Sequence, residues 1–213
     1  EDCYIRPFAY NSGLKIGPKL TGIEQDLFIY TIPLGEYLDI NKPINVCVSS
    51  WTRISDNSIP PRAKIAGSYV NSALQKTEAL SNGYDEAIVL TSDGQHVSEG
   101  SAMNVFMVKD GQLITPPVTD DILEGITRDT VIKISESELG IKTIERSIDK
   151  TELYTADELF LCGTGAQISP IGSVDRRPVG TGNIGKITKQ LQEIYFSLVK
   201  NKIKKYSSWC TKV

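Results

Sequence analysis

Runs of apolar and β-branched residues mark strands along much of the chain, and in three places the apolar positions switch to helical spacing. The stretch from Phe28 to Val48 reads as strand, interrupted by Pro33, Gly35 and Pro43, and Ile59 to Pro61 reads as a stiff turn. Between Ser68 and Asn82, Val70, Leu74, Ala79 and Leu80 recur at helical intervals, with Gly83 placed to end the helix. Four short strands are predicted next, Glu86 to Thr91, Gln95 to Glu99, Asn104 to Val108 and Gln112 to Thr115. The dipeptides Asp93-Gly94 and Asp110-Gly111 separate them as hairpin turns. A second helix is predicted from Ile126 to Gly140 with Val131, Ile132 and Ile134 on its apolar side. Strands are expected at Lys142 to Ile148 and Glu158 to Cys162, and a last helix at Ile184 to Tyr206. Strand and helix mix without a regular βαβ rhythm. The predicted class is therefore α+β, a curved, mainly antiparallel sheet or pseudobarrel packed by helices, without internal repeats.

Composition narrows the partners. The chain has 213 residues, 40% of them hydrophobic, enough for one large domain or two small ones. Its 23 basic and 26 acidic residues leave a formal net charge of -3, so no global field draws it to nucleic acid or an anionic membrane. No apolar run reaches the roughly 20 residues of a membrane span, and Glu1 to Pro7 lack the features of a signal peptide. Small-molecule partners and a cytoplasmic location are the expectation. Cys3, Cys47, Cys162 and Cys210 lie far apart with no metal-binding spacing, so no metal site is expected. The chain begins at Glu1 without an initiator methionine and enters Tyr4-Ile5-Arg6-Pro7 at once. A preceding segment is therefore expected.

Several motifs occur in a fixed order: Tyr4-Ile5-Arg6-Pro7, Pro61-Arg62-Ala63-Lys64-Ile65-Ala66-Gly67, Ser98-Glu99-Gly100-Ser101, Asn104-Val105-Phe106, Leu123-Glu124-Gly125-Ile126-Thr127-Arg128 and Gly163-Thr164-Gly165-Ala166. In this order they resemble the class IV aminotransferases, and in particular the branched-chain amino acid aminotransferases, over nearly the whole chain. The resemblance implies fold type IV of the enzymes that use pyridoxal 5'-phosphate (PLP). It also implies a homodimer or higher homo-oligomer, with residues 1–35 ending a small domain or interdomain segment and residues 36–213 forming the large PLP-binding domain. Most of the small N-terminal domain is then expected to be missing from the sequence.

The same resemblance implies the residue roles. Lys64 matches the lysine that forms a Schiff base with PLP and moves a proton between the substrate Cα and the cofactor; an amine must lose its own proton before it attacks a carbonyl. Most lysines are solvated surface charges, but this one stands between Ala63 and Ala66-Gly67, where a bulky group could approach. Glu99 matches the carboxylate that binds the pyridine nitrogen and strengthens the electron sink. Tyr69 matches the tyrosine bonded to the ring oxygen. Ile126, Thr127 and Thr164 match the phosphate ligands, and free N–H groups at a helix start suit an anion. Tyr4 and Arg6 match the pair that receives the side-chain carboxylate of glutamate, a group a guanidinium can hold with two hydrogen bonds. Tyr37 is placed on the apolar side of the substrate pocket, and Thr164, Gly165 and Ala166 beside the substrate α-carboxylate. Arg128 is expected to brace the loop.

The implied reaction exchanges an amino group between L-leucine, L-isoleucine or L-valine and 2-oxoglutarate. A D-amino acid aminotransferase and an aminodeoxychorismate lyase share the lysine and glutamate logic and stay open, as does a non-catalytic binding domain. Gly180-Thr181-Gly182-Asn183-Ile184-Gly185 fits the GxGxxG pattern, but no buried strand precedes it, so it reads as a loop and not as a dinucleotide site. His96, the single histidine, has no GxSxG partner motif and points to no hydrolase triad.

Overall fold

The computed structural model describes residues 3–33 and 38–211, and the chain divides into two units, Glu1–Tyr37 and Leu38–Val213. In the first, β1 (Cys3–Asn11) pairs antiparallel with β2 (Gln25–Pro33), from Cys3 opposite Pro33 to Asn11 opposite Gln25. Phe8, Tyr10, Phe28 and Tyr30 make a cross-strand aromatic cluster, with ring centroids of Phe8 and Phe28 5.3 Å apart. β1 carries Arg6 and Pro7 between Ile5 and Phe8, and pairs along its length with the apolar run of β2.

The second unit holds β3 (Ile44–Val48), α1 (Tyr69–Ser81), β4 (Glu86–Leu90), β5 (Val97–Gly100), β6 (Asn104–Lys109), β7 (Gln112–Thr115), α2 (Ile126–Leu139), β8 (Thr143–Glu145), β9 (Glu158–Gly163), β10 (Gln167–Val174), β11 (Arg177–Pro178) and α3 (Lys186–Val199). The strand order is β5-β4-β3-β10-β9-β6-β7-β8, with β11 beside β10. Beyond β8 the chain returns to β5: the Val97 amide donates to the Ile148 carbonyl at 2.8 Å, and His96 bridges Asp149. The sheet thus curls back on its own first strand, which is the mixed α+β, fold type IV architecture. Five of the strand pairs are antiparallel, but β3–β4, β3–β10 and β7–β8 are parallel. Helices α1 and α2 are the crossovers of β3–β4 and β7–β8, as parallel neighbours require.

Both faces of the central strands are covered. Val105, Met107, Leu159, Leu161 and Ile171 share one cluster inside the curl, while Phe106, Val108, Phe160, Cys162 and Ile168 pack outward against Val131 and Ile134 of α2 and Leu191, Tyr195 and Leu198 of α3. Burial on two faces explains why these strands read as continuous apolar runs. At Asp110-Gly111 both residues have positive φ, +49° and +74°, the twist of a tight hairpin.

Three features emerge only from the structure. Of the apolar residues spaced along α1, Ala79 is buried together with Gln75, while Val70 (68% exposed), Leu74 and Leu80 face outward. The last helix stops at Val199, where Asn201 turns left-handed at φ +52° and the Lys202 amide closes on the Ser197 carbonyl. A separate 3-10 turn, Lys204–Trp209, follows and buries Tyr206. Finally, β10 has no counterpart among the predicted strands. Pro170 lies just before pairing with β3 begins at Ile171, and Gly172 occupies a bulge where a Cβ would come within 2.8 Å of Pro43.

Candidate active site

Around β5, the loop before α1 and the start of α2 lies a cavity of about 240 Å³ lined by Lys64, Tyr69, Glu99, Ile126, Thr127 and Thr164, among others. These six come from separate parts of the chain. Lys64 sits in the loop ahead of a 3-10 turn (Ala66–Ser68), which leads directly into α1 at Tyr69. Glu99 lies on β5 and is 3% exposed. Its Oε1 receives the Arg53 guanidinium at 2.8 Å, and its Oε2 accepts from Asn104 Nδ2 at 3.0 Å and from the Leu123 amide at 3.1 Å. Loss of water pushes the Glu99 carboxyl up to about 7, against the opposing pull of Arg53, the Leu123 amide, Lys64 and Arg128.

Asn104 couples that carboxylate to the helix. Its amide nitrogen also donates to the Leu123 carbonyl at 2.8 Å, and its Oδ1 stands where any Cβ on Gly125 would meet it at 2.2 Å. Gly125 is the residue before α2, in extended conformation with no side-chain cap, so Ile126 (85% exposed) and Thr127 bring first-turn N–H groups to the cavity. Arg128 points the other way: it donates to the Pro116 carbonyl at 3.0 Å and pairs with Glu145 at 2.6 Å, bracing the loop ahead of the helix. Thr164 projects from the turn between β9 and β10, and Cys162, buried at the end of β9, has its thiol pushed up by desolvation.

The family described as amino-transferase class IV matches residues 1–174. A probable branched-chain-amino-acid aminotransferase of Aquifex aeolicus is 54% identical over the whole chain and 68% of its own length. The branched-chain-amino-acid aminotransferase of Escherichia coli is 41% identical over 99% of the chain and 69% of its own length. The PLP-form structure of the branched-chain amino acid aminotransferase from Thermobaculum terrenum superposes with a TM-score of 0.92 at 44% identity, covering 98% of this chain and 68% of that one. The chain belongs to the class IV aminotransferases, with the branched-chain amino acid enzymes. 

The sequence singled out further residues of this aminotransferase. Tyr4 and Arg6 belong to the first unit, where they share one side of β1 and the Arg6 guanidinium donates to the Tyr4 hydroxyl at 3.3 Å. Tyr37 falls outside the described residues. Gly165 and Ala166 continue the turn from Thr164, with Ala166 buried and its carbonyl accepting from Ser169 Oγ. The GxGxxG loop has a protein partner: Glu158 accepts from the Ile187 and Thr188 amides at 3.0 and 2.7 Å at the start of α3. His96 pairs with Asp149 at 3.1 Å where the sheet closes. Arg53 and Asn104 are the functional candidates that sequence reasoning missed. Asn104 was visible only as part of a motif, and no local pattern ties Arg53 to a glutamate 46 positions later.

Proposed function

We propose that the chain is the PLP-binding part of a branched-chain amino acid aminotransferase, exchanging the amino group between L-leucine, L-isoleucine or L-valine and 2-oxoglutarate. The observation that carries this reading is the meeting, on one cavity wall, of a primary amine, a buried carboxylate and an uncapped helix start. This donor set fits PLP. Among the described residues Glu99 Oε1 accepts from Arg53 and keeps a lone pair for a ring N–H, while first-turn amides with the Thr127 and Thr164 hydroxyls suit a phosphate. When bound, PLP supplies a carbonyl that takes up amines and a ring that withdraws electrons from the substrate Cα.

The protein's part follows from its residues. Lys64 holds the cofactor by its amine and, once released, moves a proton at the substrate Cα. Glu99 keeps a proton on the ring nitrogen, and Tyr69 orients the ring through its hydroxyl. Ile126, Thr127 and Thr164 hold the phosphate. Thr164, Gly165 and Ala166 present the turn to the substrate α-carboxylate, Tyr37 lines its apolar side, and Tyr4 and Arg6 take the second carboxylate of glutamate. Residues 1–35 and 36–213 serve as interdomain segment and PLP-binding domain. A homodimer is part of this reading. It is supported by the outward apolar residues Val70, Leu74 and Leu80 on α1. Among the described residues no helix is long and apolar enough to cross a membrane, and a cytoplasmic location is part of this reading.

The test is a PLP titration followed by visible absorbance, then half-reactions with L-leucine, L-valine and D-alanine. Spectral conversion by the L-amino acids and regeneration by 2-oxoglutarate is the expected result. Conversion by D-alanine alone would replace the reading with a D-amino acid aminotransferase, and no PLP uptake would remove it.

A further inference from the structure

Nothing in the catalytic roles above uses Arg53, yet its placement is among the most constrained in the molecule. It ends the segment that leaves β3, and three layers of contact fix that segment. The Ser49 and Ser50 hydroxyls and the Ser50 amide all donate to the Glu78 carboxylate on α1. The Thr52 carbonyl accepts from Asn71 Nδ2 at 3.0 Å and from the buried Gln75 at 3.4 Å. The Arg53 amide then donates to the Leu90 carbonyl at 2.9 Å. From this anchored backbone the guanidinium reaches Glu99 Oε1 at 2.8 Å and the Asp121 carbonyl at 3.4 Å, with 9% of its side chain exposed. A guanidinium is always charged and its fork is rigid, so it presents a fixed cation to one oxygen of the carboxylate.

We propose that Arg53 is a positioning residue that keeps Glu99 an anion and holds it at the cavity wall, so that the site stabilises a proton on the bound ring nitrogen and not on Glu99 itself. The proposal rests on the cofactor reading above for the ring nitrogen, but the relation between Arg53 and Glu99 stands on the protein alone. Burying a carboxylate favours its neutral form, and a neutral Glu99 would present an O–H donor where a protonated ring N–H needs an acceptor. The charged and titratable groups around Glu99 are Arg53, Lys64, Arg128 and the Cys162 thiol. Arg128 is already engaged by Glu145, and Lys64 is committed to chemistry in the proposed function. Arg53 is the one of these cations bonded directly to the carboxylate.

A readout independent of turnover follows from the protonation of Glu99 in the protein without cofactor. Its carboxyl stands at about 7, above the ordinary 4.5, so the folded state binds this proton more tightly than the unfolded chain does. The stabilisation is complete below the ordinary value and is lost as pH rises through the folded one. The melting temperature of the parent should therefore fall between these pH values and level off above them. Arg53→Met should carry the midpoint of that fall upward by at least about one pH unit. Arg53→Lys, which retains a cation, should stay closer to the parent. Glu99→Gln should abolish the fall in both backgrounds. An unchanged midpoint in Arg53→Met would overturn the proposal. If Arg53→Met does not fold, Arg53→Met/Glu99→Gln should recover folding, because the uncompensated carboxylate is gone; a double variant equally unfolded would also overturn it. The parent titration with no PLP uptake would uphold the Arg53 and Glu99 relation while removing the cofactor reading, and PLP uptake with no Glu99-dependent titration would do the reverse.

Discussion

Helices α2 and α3 each begin after a glycine, and the two glycines have different neighbours. Before α3, a Cβ on Gly185 would meet the Glu158 carboxyl carbon at 2.0 Å, and that carboxylate accepts from the Ile187 and Thr188 amides and the Thr188 hydroxyl. The protein itself supplies the anion that the positive end of the helix favours. Before α2, a Cβ on Gly125 would meet Asn104 Oδ1, the oxygen of a neutral amide that cannot serve as an anion, and among the described residues no carboxylate accepts from the first-turn amides. Both ends need glycine for close approach. One is complete within the fold, whereas the other opens onto the cavity that holds Lys64 and Glu99. A glycine at a helix start is therefore informative only when its neighbours are known.

The largest expected effect tests whether the α2 end is the chemical one. Lys64→Ala should lower transamination by more than about 10⁴-fold, since it removes the covalent anchor together with acid-base catalysis, and leave the unfolding midpoint unchanged. Borohydride trapping in the presence of PLP should label Lys64 in the parent; a label on another lysine ends the assignment. Next is the α3 end. Glu158→Ala should cost roughly 2–3 kcal/mol in denaturant unfolding, from the loss of charged hydrogen bonds at a helix start, with little change in PLP affinity. A matching loss of PLP affinity would show that the two ends are not separable. A smaller effect is expected from Gly125→Ala, which must displace Asn104 and with it a partner of Glu99. PLP binding should weaken by about 10-fold, or about 1.4 kcal/mol, read by absorbance titration, and unchanged affinity would mean that Asn104 does not position the site. The smallest effect lies away from both helices. Arg6→Ala should raise the Michaelis constant for glutamate several-fold and that for leucine little, because only glutamate brings a second carboxylate. Equal changes would give Arg6 a structural role.

Hairpin turns and helix ends were legible from short stretches of sequence. Asp110-Gly111 closes β6 on β7, Gly140 ends α2 at φ +67°, and Gly83 follows α1 at φ +76°, because each conformation is set by the residues that adopt it. The order of motifs placed the chain in its family for a related reason, since each motif is a local run of residues. Three features escaped. The buried side of α1, formed by Gln75 and Ala79, was not indicated, since helical spacing alone does not say which side meets the sheet. β10 was not predicted; it tolerates a proline and a glycine because Pro170 falls short of the β3 pairing and Gly172 fits a bulge against Pro43. The bond between Arg53 and Glu99 had no sequence signal at all.

The sequence by itself determined where the hairpins turn, where α1 and α2 end, and which family the chain belongs to, since turn geometry, periodicity and ordered motifs depend on neighbours along the chain. Tertiary structure alone decided the parallel partners of β3, the closure of the sheet through Val97 and Ile148, and which of two glycine-led helices keeps its first turn open to a cavity. Those outcomes depend on contacts between residues far apart in the chain: whether a carboxylate such as Glu158 or an amide such as Asn104 arrives at a helix start is settled by how the sheet folds back on itself, and no local pattern carries that information.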